Sequence, residues 1–62
     1  MFNLPANTLL IDRAARPLGQ YRCPDLNAAL LTAQTFDLCT AFNYNGVWFE
    51  WDNDEGGWNV AQ

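Results

Sequence analysis

The pair Asn45-Gly46 constrains this chain more than any other feature of it. A two-residue type I′ turn needs positive φ at both central positions, which Asn and Gly adopt most readily, and its twist matches that of antiparallel strands. The pair sits between two aromatic-rich runs, 38–44 and 47–52, and predicts a β-hairpin with a fixed register. Tyr44 then opposes Val47, Asn43 opposes Trp48, Phe42 opposes Phe49, Ala41 opposes Glu50 and Thr40 opposes Trp51. Period-two alternation sorts the faces. Thr40, Phe42, Tyr44, Val47, Phe49 and Trp51 form an almost wholly apolar side that must be covered. Cys39, Ala41, Asn43, Trp48, Glu50 and Asp52 form the other, partly wet side.

The cover is a helix. Asp25 is a good N-cap, its carboxylate able to accept from the free amides of a first turn, and Pro24 prevents helical continuation upstream. Leu26, Ala29, Leu30 and Ala33 recur at helical spacing and predict an apolar stripe facing the sheet, with the helix ending near Thr35-Phe36. Upstream, 8–12 reads as a strand, 13–19 with its Pro17-Leu18-Gly19 as a loop, and 20–23 as a short returning strand. Downstream, the Asp- and Gly-rich stretch 53–57 reads as a turn before a terminal strand over 58–60. The predicted architecture is α+β: one domain over 1–62, a small antiparallel sheet in the order β-β-α-β-β-β with one helix on one face.

Sixty-two residues lie near the lower limit for independent folding, where burial and chain entropy nearly cancel. Nine aromatic side chains, at roughly 150–250 Å² each, are what could build a core at this length. The two cysteines, Cys23 and Cys39, are too few for a disulfide scaffold and lack metal-site spacing. They read as small buried hydrophobes, the alternative being a bridge contributing ~3 kcal/mol. The start of the chain lacks a basic region followed by a long apolar run, and no run is long enough to cross a bilayer. The expectation is a soluble, cytoplasmic protein.

Charge is segregated along the chain. All the basic residues, Arg13, Arg16 and Arg22, precede six of the seven carboxylates: Asp25, Asp37, Glu50, Asp52, Asp54 and Glu55. Such a field repels phosphate backbones and attracts basic surfaces, which argues against direct nucleic-acid binding and for a basic protein partner. The arginines read as solvated charges that could neutralise Asp12 or the acidic turn. Three of them make a poor nucleic-acid footprint. Without Lys, His or Ser, no nucleophile–base pair can be assembled, and the threonines lack a base. Glu50 and Asp52, about 7 Å apart at strand spacing, match a glycosidase pair only in distance. The turn from Asp52 resembles a calcium loop, yet the bidentate Glu at the twelfth position would fall beyond Gln62. No catalytic residue, metal or cofactor is expected.

The wet face of the second hairpin is the candidate site. Trp48 among Asn43, Glu50 and Asp52, with Asp54, Glu55 and Asp37 nearby, pairs an aromatic anchor with carboxylates suited to Arg or Lys of a partner. The competing readings are self-association through that face or burial of Trp48 under Phe2, Leu4 and Pro5. Trp58 is expected in the core, packed against Trp51.

The run Asn45-Gly46-Val47-Trp48-Phe49, the acidic Gly turn, the terminal Trp58-Asn59-Val60 and the Asp25–Leu30 helix start together resemble small phage accessory proteins of the anti-CRISPR type. That resemblance implies inhibition of a CRISPR effector complex by occupation of its basic DNA groove, in the host cytoplasm if the protein is phage-encoded. No binding residue carries over from it, and a net charge of −4 is modest for a DNA mimic. The function expected is a non-enzymatic inhibitor of a nucleic-acid-handling complex. The alternative is a homodimeric phage structural or regulatory module with the sheet face as its seam, and a third reading is sugar binding through an exposed Trp.

Overall fold

A computed structural model describes residues 5–61 of the chain. Six elements follow one another: β1 (Thr8–Ile11), β2 (Pro17–Tyr21), α1 (Leu26–Thr35), β3 (Ala41–Tyr44), β4 (Val47–Asp52) and β5 (Gly57–Val60). The strands form one antiparallel sheet in the spatial order β2-β1-β3-β4-β5, and the helix crosses one face to bring β3 back beside β1. The α+β order expected from the sequence is the order observed.

The second hairpin forms in the register that Asn45-Gly46 dictates. The four pairs from Ala41↔Glu50 to Tyr44↔Val47 are present, and Trp51 N donates to Thr40 O at 3.0 Å. Asn45 and Gly46 both have positive φ, 50° and 87°. Asn43 Oδ1 accepts from Gly46 N at 3.0 Å and ties the turn to its own strand.

The helix starts where its cap places it. Asp25 is extended, and its carboxylate accepts from Ala28 N at 2.9 Å. The stripe facing the sheet differs from the expected one. Ala29 and Ala33 are buried, Leu30 is half-buried, and Leu26 is 37% exposed. Alanines let the helix backbone approach the sheet, so volume comes from the strands. Leu10 and Phe42 are wholly buried under the helix. Phe42 stacks on Phe49 at 4.9 Å and meets the edge of Trp58 at 5.0 Å, and Trp58 packs edge-on against Trp51 at 5.3 Å. Trp58 packs against the core as expected, though only partly buried, whereas Val47 and Trp51, on the side expected to be covered, stay exposed because the short helix does not reach that far across the sheet.

Strand boundaries move: β2 ends at Tyr21 rather than at 23, and two strand starts shift for a local reason. The predicted 13–19 loop is shorter, because Asp12 Oδ1 accepts from both Ala14 N and Arg16 N at 2.9 Å and closes a tight turn with Ala15 at φ 62°. β2 therefore begins at Pro17, where an edge strand needs no N–H, and a bulge opposite Leu10 and Ile11 absorbs the extra residue. β3 begins at Ala41 rather than at 38. A turn in which Cys39 N donates to Phe36 O at 3.0 Å precedes it, leaving Leu38 69% exposed. Alternation does not reach back through that turn, so Cys39 lies in the core cluster rather than on the wet face. Cys23 and Cys39 are both buried and free, which removes the disulfide alternative.

Asn7, unremarked in the sequence, joins the first hairpin to the chain entering the helix. Its Oδ1 accepts from Cys23 N at 2.9 Å and its Nδ2 donates to Cys23 O at 2.8 Å, imitating a ladder pair. No helix among the described residues is long and apolar enough to cross a membrane.

Candidate protein-binding face

The helix covers one face of the sheet, and the registers place Leu9, Ile11, Ala41, Asn43, Trp48, Glu50, Asp52 and Asn59 on the other. Trp48 is 39% exposed there, directly across from Asn43. The covering segment that could have buried it, Phe2 and Leu4, lies outside the described residues, and Pro5 is exposed. Leu9, Ile11 and Ala41 are half-buried, so the middle of this face is apolar and its β4–β5 side is acidic.

Glu50, Asp52 and Asp54 come together with Asn53, Asn59 and Trp51 around one depression of about 350 Å³. Their roles within it differ. Glu50 and Asp54 are exposed. Asp52 organises the turn: its Oδ1 accepts from Asp54 N at 2.8 Å and Glu55 N at 3.2 Å, and its Oδ2 accepts from Asn59 Nδ2 at 3.0 Å. Gly56, at φ 72°, closes the same turn by donating its N–H to Asp52 O at 2.8 Å. An Asp side chain capping its own following amides is a common turn device, and it holds Asp54 and Glu55 outward. The carboxylate thus supports the acidic surface while forming part of it.

Asp37 stands apart from this cluster. It is exposed after the helix and lines two depressions that also contain Arg13, one with Trp51, Trp58 and Cys39 and one with Asp12 and Leu38. Among the described residues no arginine is bonded to Glu50, Asp52, Asp54 or Glu55. Arg22 Nη1 instead donates to Pro5 O at 3.4 Å. The arginines stay on or beside the first hairpin, Arg22 lining a depression at the far end of the open face with Leu9, Gln20 and Asn43, and the exposed Glu50 and Asp54 side chains make no internal hydrogen bond among the described residues.

Burial pushes the Cys39 thiol above its ordinary pKa, partly opposed by backbone contacts with Ala41 and Ile11. Trp58 Nε1 is buried without a hydrogen-bond partner among the described residues. No cluster of three or more His, Cys, Asp or Glu close enough to hold a metal ion occurs among those residues.

Fold and face together define a class: a one-helix, five-stranded antiparallel domain whose uncovered side carries a Trp beside carboxylates. No protein-family model matches this chain, and no curated protein or solved structure is significantly similar to it.

Proposed function

We propose that this chain is a small non-enzymatic inhibitor that binds the basic nucleic-acid site of a nucleic-acid-handling complex, as anti-CRISPR proteins do, in the cytoplasm of a host cell. The carrying observation is the gathering of Glu50, Asp52 and Asp54 around one depression, on the side of the sheet where Trp48 is exposed, with no arginine among the described residues bonded to them. In this reading the carboxylates take the place of phosphates against Arg and Lys, and Trp48 supplies an apolar anchor. Charge attraction speeds encounter, and binding weakens with salt because the Debye length is only about 8 Å at physiological ionic strength.

The test is displacement of target DNA from purified CRISPR effector complexes, followed by mobility shift as salt is raised. Glu50→Arg combined with Asp54→Arg reverses two charges whose side chains make no internal hydrogen bond among the described residues. Loss of displacement in this folded variant supports the reading, and undiminished displacement removes the acidic side from the mechanism. A second reading draws on the half-buried Leu9, Ile11 and Ala41 beside Trp48: a homodimer sealed through the open faces. It requires a salt-insensitive dimer in sedimentation that Trp48→Glu dissociates.

A further inference from the structure

The two edges of the sheet are built differently. β2 opens with Pro17 and carries a bulge, devices that discourage pairing with another chain. β5, Gly57-Trp58-Asn59-Val60, has no Pro, Lys or Arg, and its register with β4 is uninterrupted from Phe49↔Val60 to Asp52↔Gly57. Ala61 N donates to Trp48 O at 2.8 Å. By antiparallel alternation, Ala61, Asn59 and Gly57 turn their backbone groups toward β4, and Trp58 and Val60 turn theirs away from the sheet. Val60 is 52% exposed.

We propose that β5 accepts an extended, cationic segment of a partner protein as a sixth strand, paired through the outward N–H and C=O groups of Trp58 and Val60. The inference rests on the acidic side being a protein-binding surface and names the form its partner takes. On the open face β5 presents only Gly57 and Asn59, and behind them stand Asp52 and Glu50, their cross-strand neighbours. A sixth strand would lie two strand spacings, about 10 Å, from β4. Lys or Arg side chains on that strand can reach over the small residues of β5 to both carboxylates. On the helix-side face, alternate residues of the partner meet Trp58 and Val60. The segment that fits therefore alternates Lys or Arg with β-branched or aromatic residues. A second copy of this chain fits poorly: each carries a net charge of −4, and neither β4 nor β5 holds a basic residue.

The probe is a synthetic peptide of about six residues, a typical strand length, alternating Lys and Val and blocked at both ends. Val60→Pro removes an outward N–H without removing a bond to β4. N-methylation of Val60 in a chemically synthesised chain does the same with the side chain kept. Slowed hydrogen exchange at Trp58 and Val60 amides on peptide addition, with affinity weakened roughly tenfold by N-methylation, is the expected result. Peptide binding that leaves both amides exchanging freely, tolerates N-methylation and is lost in Glu50→Arg overturns the sixth strand but leaves the acidic face standing. Absence of peptide binding also overturns it, while the acidic face is judged separately by DNA displacement. Protection of those amides by raising the concentration of this chain alone assigns the edge to a second copy and overturns the foreign partner.

Discussion

Asp52 and Glu50 are neighbours on one strand face, yet their removal should have very different consequences. Asp52→Ala deletes three hydrogen bonds, at 2.8, 3.2 and 3.0 Å. Bonds to a charged acceptor exceed the usual 0.5–1.5 kcal/mol, but this turn is exposed and its freed amides find water, so about 0.7 kcal/mol each and about 2 kcal/mol together is the working figure. A chain of this size has a total stability of roughly 3–9 kcal/mol. With about 4–8 °C of Tm per kcal/mol in so small a domain, Asp52→Ala should melt about 8–16 °C below the parent. Glu50→Ala removes an exposed side chain without a hydrogen bond among the described residues and should stay within about 0.5 kcal/mol. Thermal denaturation followed by circular dichroism reads both. Asp52→Asn keeps an oxygen for the turn amides and should fall between them. Equal Tm values for Asp52→Ala and Glu50→Ala would refute the assignment of the turn to Asp52. The same difference decides how binding is tested: a charge reversal at Asp52 confounds lost recognition with a loosened turn, whereas Glu50 and Asp54 can be reversed cleanly.

Ala15 holds a left-handed conformation at φ 62°, where a Cβ costs about 1 kcal/mol or more. Ala15→Gly relieves that cost against a smaller loss of chain stiffness and should raise Tm by a few degrees; an unchanged or lower Tm contradicts it. Burial raises the Cys39 thiol pKa, so the folded chain holds that proton more tightly than the unfolded one. Its contribution is intact below the ordinary thiol range and is lost as pH rises through and beyond it. Urea midpoints measured across alkaline pH should fall more steeply for the parent than for Cys39→Ala, and parallel curves would exclude Cys39 as the cause.

What the amino-acid order fixed is local. The Asn45-Gly46 register, the Asp25 cap and the end of the helix each depend on φ preferences and hydrogen bonds within a few residues, and all were legible without coordinates. So were the α+β order, which follows from where two periodicities alternate, and the contact of Trp58 with Trp51. Other features were decided only when distant segments met. The helix stripe settled on Ala29 and Ala33 because the aromatic side chains rising from β3, β4 and β5 already filled the space beneath it. Cys39 entered the core because a turn interrupted the alternation that would have turned it outward. Asn7 clamps a residue sixteen positions away, a partnership no short-range pattern announces. Asp37, grouped by charge with the other carboxylates, came to rest beside Arg13 instead. Sequence spacing orders neighbours along one strand or one helix turn, whereas the sharing of a surface by separate elements is set by how their buried volumes pack.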